Sequence, residues 1–514
     1  MQNYPDSHGT CAKIQQNRSA DKLLILTLLG QLFFAGAVFA QTTDWVSKDS
    51  AGNEADDSSL YPSISADGRF VAFHSYATNL VPDDTNGVHD VFVHDRETGE
   101  TRRVSVDSEG YEADGSSLWP SISGDGRFVA FTSYAADLVP NDTNGVDIFV
   151  HDRETGETTR VSVDSEGNEA DSSSFLSAIS SDGRFVAFMS YATNLATYDT
   201  NGYADIFVHD RETGETTRVS VDSEANEANN YSEYPAISGD GRYVTFQSIA
   251  TNLVTDDWNL SADIFVHDRA TGQTTRVSVD TEGYEADSAS LSPAISGNGR
   301  LVAFASYATN LVPNDTNGYA DIFVHDRNTG ETTRVNVDSE GNEADGLSSL
   351  PSIADDGRFV AFESHAANLV PHDTNGDKDI FLHDRQSGET IRVSVGTNTQ
   401  QANNDSSLPV ISSDSRYIAF QSSANNLIPG EHFFGQPGEE IFVRGPLTNE
   451  PQQINIDIAP QRDPNRITPD RGRPAVAILT DVSFDATQVD PATVYFGPAD
   501  AVPMNDRIID ADGD

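Results

Sequence analysis

The sequence predicts an all-β protein, a seven-bladed β-propeller closed by a strand from its N-terminus and followed by a small β module. Three observations carry that reading. A segment reading DGRFVAF or close to it recurs with its arginines at Arg69, Arg127, Arg184, Arg242, Arg300, Arg358 and Arg416, spaced 58, 57, 58, 58, 58 and 58 residues. Each repeat holds four short runs of strand character divided by turn residues at fixed offsets, with no helical periodicity. The seventh repeat lacks its fourth run, and an equivalent run stands ahead of the first. Self-similarity at this length marks an architecture in which no unit buries its apolar face alone.

The first repeat shows the pattern. Leu60-Tyr61-Pro62-Ser63-Ile64-Ser65 is a short strand ended by the turn Asp67-Gly68. Phe70-Val71-Ala72-Phe73 follows, apolar on both faces as a sheet packed between two others requires. A polar loop, SYATNLVPDDTNGVH, leads to the third strand, Asp90 to Asp95, and the turn Glu97-Thr98-Gly99-Glu100 gives a hairpin into Arg102-Arg103-Val104-Ser105-Val106. Four antiparallel strands per unit describe a propeller blade. The seventh repeat runs from Ile441-Phe442-Val443 straight into Gly445-Pro446, while Thr43-Asp44-Trp45-Val46-Ser47 aligns with Thr101 to Ser105 at an offset of 58. The N-terminal strand is therefore expected to complete the last blade and remove the open edges.

Residues 1–40 read as a signal peptide: Lys13, Arg18 and Lys22 precede the apolar run Leu23 to Ala40, which ends in small residues. Residues 41–445 are assigned to the propeller, 446–452 to a linker and 453–514 to the β module. The one cysteine, Cys11, lies in the leader, so the expected mature chain has no disulfide, thiolate nucleophile or cysteine metal site. Removing the leader's three basic and two acidic residues leaves 28 basic against 79 acidic, a net of −51. Such a field repels nucleic acid and anionic membranes and favours cations and solubility. A secreted or periplasmic monomer is expected, with no membrane insertion after cleavage.

The segments SISADGRFVAF and DVFVHDRETGETRRVSV resemble the repeats of TolB-like propellers, exported relatives of WD-repeat propellers, and also the propeller half of prolyl-oligopeptidase-like enzymes. The resemblance covers roughly Thr43 to Arg444. It implies the fold, and little about activity, because such propellers serve many tasks. The tail is similar to small β modules appended to exported bacterial proteins. Those continue past an aspartate-rich stretch, so the module is expected to be incomplete at Asp510-Ala511-Asp512-Gly513-Asp514.

The short hairpins belong on one face of the disc, and the long loops, where binding normally resides, on the other. Asp-Thr-Asn-Gly recurs on those loops and offers oxygen ligands at alternate positions: Asp84 and Asn86, Asp142 and Asn144, Asp199 and Asn201, Asp315 and Asn317, Asp373 and Asn375. The pattern resembles the opening of a calcium loop, with Asp510, Asp512 and Asp514 as a further fragment of one; an Asx-type turn is the alternative. On the inter-blade loops Glu-Ala-Asp or a close variant places Glu54, Glu112, Glu169, Glu227, Glu285 and Glu343, expected as an acidic collar near the channel mouth or as caps on backbone amides between blades. Positions that break the repeat carry more information. Tyr61, Trp119 and Tyr234 precede the proline of their innermost strands and are candidates to stack on sugar rings or grip a peptide, or simply to pack between blades. His94, His151, His209, His267, His325 and His383 lie on third strands of different blades and read as structural.

The chain has no G-x-S-x-G elbow and no H-E-x-x-H helix, and its tail is too short for an α/β-hydrolase domain. The expected function is that of a non-enzymatic scaffold binding a protein or glycan through the long-loop face. The alternative is a propeller hydrolase or lyase acting on extracellular polysaccharide with carboxylates at the channel mouth. A calcium-stabilised surface protein would differ from the first mainly in ion dependence.

Overall fold

The structure, a computed structural model, describes residues 41–447 except 144, 397–398 and 429–437. The expected signal peptide, the tail module with Asp510, Asp512 and Asp514, and Asn144 lie outside the described residues.

The first blade is the antiparallel sheet β2 (Ser59–Ile64), β3 (Phe70–Ser75), β4 (Asp90–Asp95) and β5 (Glu100–Arg103), hydrogen-bonded in that order. The same four-strand order recurs as β6–β9 (117–160), β10–β13 (174–218), β14–β17 (232–276), β18–β21 (290–334) and β22–β25 (348–392). The first strands of neighbouring blades pack on one another around the circle and line the axis, which leaves the fourth strands outermost. The seventh sheet has the order β1-β28-β27-β26, built from β26 (Ser406–Ile411), β27 (Ile418–Ser422), β28 (Glu440–Gly445) and, from the other end of the chain, β1 (Thr42–Trp45). Thr42 pairs with Gly445 and Trp45 with Phe442, so the N-terminal strand closes the circle.

The fourth strand ends three residues earlier than the sequence predicts. The amide of Val91 is taken by the Ser105 hydroxyl at 3.0 Å, and the chain peels away from the ladder there. Val106 then bridges back to Glu112.

The third strand of the first blade is buried along its whole length. Phe73 and Phe92, both fully buried, stack with ring centroids 6.0 Å apart, and every blade repeats that pair. Neighbouring blades share one core: Ala72, Val91 and Val93 of the first pack with Val129 and Phe131 of the second. Removing such a phenylalanine side chain costs about 3–5 kcal/mol.

On the short-hairpin face, Gly126 adopts φ +73°, and the position a Cβ would take is filled by the Phe70 ring of the preceding blade. The Arg153 guanidinium covers that ring at 4.3 Å. Backbone bonds pass from turn to turn around this face: Ala66 N–H to Gly124 O, Gly124 to Ser181, Ser181 to Gly239, Gly239 to Gly297. Asp414 N–H reaches Ala66 O and carries the chain of bonds across the closure.

Candidate functional site

The Asp-Thr-Asn-Gly and Glu-Ala-Asp motifs, read separately in the sequence, meet in one cluster. In the first blade Asp84, Asp90 and Glu112 surround Arg103 of the outermost strand: Arg103 Nη1 lies 3.4 Å from Asp84 and Asp90 and 2.8 Å from Glu112. Glu112 also accepts the Thr85 amide at 3.1 Å and the Thr85 hydroxyl at 2.5 Å, and Asn86 Nδ2 donates to Ala113 O at 3.0 Å. The second acid of the motif reaches the next blade. Asp114 accepts the Ala136 amide at 2.9 Å, as Asp56 accepts the Thr78 amide and hydroxyl. Each Glu-Ala-Asp is thus a staple whose glutamate holds one blade and whose aspartate holds the following one.

The cluster recurs at Asp142, Asp147, Glu169 and Arg160; at Asp199, Asp205, Glu227 and Arg218; at Asp257, Asp263, Glu285 and Arg276; and at Asp315, Asp321, Glu343 and Arg334. In the sixth blade Gln401 replaces the glutamate and donates to Asp373 at 2.8 Å, while Asn375 Nδ2 bonds Ala402 O at 3.0 Å. Asn201 and Asn317 make the same backbone bond, to Ala228 and Ala344. These glutamates lie over the outermost strands, which corrects the expected collar at the channel mouth. They cap loop amides of their own blade, as Glu112 caps Thr85 and Glu169 caps Thr143.

In five blades the three carboxylates come within 4.8 Å of one another, a spacing that could hold a metal ion. The guanidinium, however, stands among them, 2.8–3.4 Å away in the first blade. An ion 2.3–2.6 Å from the same oxygens would press against that cation. Burial, followed by the neighbouring carboxylate of Asp90, pushes Asp84 up to about 6. Burial and Asp147 take Asp142 to about 7, and burial and Asp205 take Asp199 to about 7. Asp142 Oδ2 and Asp199 Oδ1 are buried with no hydrogen-bond donor among the described residues. Burial beside Asp147 thus favours the protonated form of Asp142, which could donate to Glu169.

In the seventh blade Trp45 takes the place of the arginine and Glu440 that of Asp90. Trp45 Nε1 donates to Glu440 at 3.3 Å, and the Ser47 hydroxyl bonds the same carboxyl group. Burial without a cation pushes Glu440 up to about 8. Glu54, at the matching inter-blade position, adds its own charge to that shift.

The six histidines are buried beside their fourth strands. His94 Nδ1 is 2.9 Å from Thr101 Oγ1, whose one proton goes to Lys48 O, so the histidine donates from Nδ1. Burial holds His94 down to about 4.

The sevenfold pattern breaks at the channel mouth. Tyr61, Trp119, Leu176, Tyr234, Ser292, Leu350 and Leu408 all adopt φ of 48–54°, each at a bulge in its innermost strand. A left-handed non-glycine residue costs about 1–2 kcal/mol, and such strain gathers where function demands it. The backbone N–H at this position turns toward the preceding blade. Gln421 accepts it from Tyr61 at 3.0 Å, His74 from Trp119 at 3.3 Å, Gln247 from Ser292 at 3.0 Å and Glu363 from Leu408 at 3.2 Å.

Two unlike arcs result. In the first four blades ring contacts run His89–His74–Tyr61–Trp119–Phe175–Tyr191–Tyr231–Tyr203, with centroids 4.7–6.5 Å apart. Tyr61 is 42% and Tyr234 47% exposed. In the sixth and seventh blades the wall is polar. Glu363 takes Lys378 Nζ at 3.2 Å and the Ser349 hydroxyl at 2.7 Å, and Gln421 Nε2 donates to Glu439 at 2.7 Å. Of the candidate aromatics, Tyr61 and Trp119 share the first arc, while Tyr234 stands on the following innermost strand. The sequence reading missed Arg103 and its equivalents, Asp90 and its equivalents, and the second-strand residues His74, Gln247, Glu363 and Gln421. The last group was detectable as the most variable position in FVAF-x-S.

No family model matches the chain, and no curated protein matches it. Solved structures with a similar fold include TolB from Acinetobacter baumannii, at 16% identity and TM-score 0.35, covering 59% of each chain. This chain therefore spans less than two-thirds of that TolB. They also include an oligogalacturonate lyase from Vibrio parahaemolyticus, at 13% identity and TM-score 0.46, over 80% of this chain and 98% of that one. The β-propeller domain of the trilobed protease from Pyrococcus furiosus matches at 13% identity and TM-score 0.47, over 76% of this chain and 98% of that one. These are likenesses of fold alone. The assignment as a seven-bladed propeller rests on the strand order itself.

Proposed function

We propose that this chain is an exported, non-enzymatic propeller that binds a protein or glycan at the long-loop end of its channel. The observation that carries the reading is the broken symmetry of that mouth. Elsewhere the seven blades repeat nearly residue for residue, as a scaffold does, whereas the strained bulge positions and their second-strand partners differ from blade to blade. Exposed aromatic rings facing a wall of hydrogen-bonding side chains are the parts of a recognition site. The apolar run Leu23 to Ala40 supports export.

The carboxylates at the mouth do not read as an acid–base pair. Glu363 is engaged by Lys378, Ser349 and the Leu408 amide, and Glu439 by Gln421. The test is to incubate the purified chain with soluble polysaccharides and with envelope proteins while following retention and new sugar ends together. Retention without turnover is expected. Turnover that disappears in Glu363→Gln would establish the hydrolase or lyase alternative.

Calcium has a weaker claim, because the arginine already occupies the centre of each acidic cluster. A thermal melt in EDTA and then in millimolar calcium is expected to show no shift. A clear rise would make those loops ion sites, since a ligand that binds only the folded state stabilises it by mass action.

A further inference from the structure

We infer that the mouth is a subsite for a glycan chain without carboxylate or sulfate groups, seated on the aromatic arc and hydrogen-bonded to backbone amides that the fold leaves open. The inference rests on the reading of this mouth as a binding surface and adds the class of ligand.

The first support is a difference among the seven bulges. Four of the left-handed amides are covered by a side chain of the preceding blade: Gln421, His74, Gln247 or Glu363. The blades preceding Leu176, Tyr234 and Leu350 present Thr132, Met189 and Ala305 at the same position. Met189 and Ala305 carry no oxygen or nitrogen in their side chains, and the Thr132 hydroxyl is buried without a hydrogen-bond partner. Among the described residues, those three amides thus lack the second-strand acceptor that covers the other four. Two of the three, Leu176 and Tyr234, adjoin the aromatic arc, next to Phe175 and Tyr231. A backbone donor beside exposed rings is suited to a sugar, whose ring presents an apolar C–H face and hydroxyl oxygens at its rim.

Charge narrows the class further. The innermost strands contain no lysine or arginine, and the second strands offer only His74, which burial holds down to about 3 and therefore neutral. Lys378 is already paired with Glu363. Glu233, Glu363, Glu439 and Asp405 stand on or beside the same mouth, and the whole chain carries a net charge of −50. A uronate or sulfated chain would bring anions to a wall whose described residues offer no cation beyond Lys378, which Glu363 already holds, and like charges across an interface are strongly rejected.

The experiment is affinity electrophoresis of the full chain against a soluble β-1,4-glucan, a β-1,3-glucan, a mannan and polygalacturonate, beside an immobilised random-peptide library. Retardation by at least one neutral polysaccharide and none by polygalacturonate is expected. Trp119→Ala should weaken that retardation about tenfold. Met189→Gln supplies the residue that Gln247 already places at this position, so it tests the amide without disturbing the fold. It should cover the Tyr234 N–H and weaken binding about fivefold. Polygalacturonate binding as tight as the neutral chains, or neutral binding that ignores both variants, overturns the inference. Capture of peptides alone also overturns it while leaving the binding mouth standing, and capture of nothing removes both.

Discussion

Of the three acids around Arg160, Glu169 lies 2.8 Å and Asp142 3.3 Å from its Nη1, and burial beside Asp147 raises Asp142 to about 7 while Glu169 is held low. Hydrogen bonds from Thr143 and the charge of Arg160 outweigh burial and hold Glu169 low, whereas burial and Asp147 hold Asp142 up at about 7. The pair stays joined while a proton sits between them.

That arrangement sets one limb of the stability profile. An aspartate whose folded value is raised favours folding while protonated, and the contribution fades as pH climbs from about 4 through 6 to 7. The Arg69–Asp95 type of pair acts in the opposite sense. Arg69 grips Asp95 through two bonds of 2.7 and 2.9 Å and holds it well below the usual carboxylate range, and Asp268 and Asp326 are likewise held at about 2. Their contribution is complete above about pH 4 and is lost as pH falls toward 2. Melting temperature is therefore expected to peak near pH 4–5 and to fall by ~5 °C by pH 8. The double variant Asp142→Asn/Asp199→Asn should make the alkaline limb shallower, leaving the share of Asp84 and its other equivalents, and leave the acid limb unchanged. A profile rising from pH 5 to 8 would contradict the shared proton.

The closure carries its own titration. Glu440 is 7% exposed and has Trp45 where every other complete blade has arginine. Its carboxyl group is raised to about 8, so it supports the closed ring below its unfolded value and does so less and less as pH rises through 8. Glu440→Gln retains an acceptor for Ser47 and Trp45 and should remove the share of the stability loss that this group contributes between about pH 4.5 and 8. Hydrogen exchange at Asp44 and Val443, read against a blade remote from the closure, is the direct measurement.

Two glycines separate backbone strain from packing. Gly99 has φ +76° and open space where a Cβ would stand, so Gly99→Ala is expected to cost about 1–2 kcal/mol from conformation alone. Gly126 has a similar φ of +73° but meets the Phe70 ring, so Gly126→Ala should cost clearly more. Equal losses on urea unfolding would mean that the inter-blade contact contributes nothing at that turn.

The propeller was legible because its signals are local or periodic. The 58-residue spacing, the Asp67-Gly68 and Thr98-Gly99 turns and the orphan strand at Trp45 each state a constraint that any fold of this chain must meet. The acidic clusters were half legible. Asp84 and Glu112 stood out as motifs, but their meeting depends on a loop folding back so that Glu112 reaches Thr85, 27 residues earlier, and Arg103 looked like one more residue of a strand edge. The aromatic candidates were found by asking where the repeat fails. Their second-strand partners form no motif, because the position holds His74, Gln247, Glu363 and Gln421 in four blades and Thr132, Met189 and Ala305 in the other three. They share only a place, opposite an amide that the bulge turns outward.

The pairing of Thr42 with Gly445, 403 residues apart, also sets a timetable for the molecule's own assembly. Strands within a blade can pair as soon as they are made, but β1 has no partner until β28 exists. For nearly the whole of synthesis the growing arc has an unfinished end, and its first strand is left waiting. Closing so long a loop is slow. A chain cut short before Phe442 lacks every residue with which β1 pairs, so its circle has no closing strand.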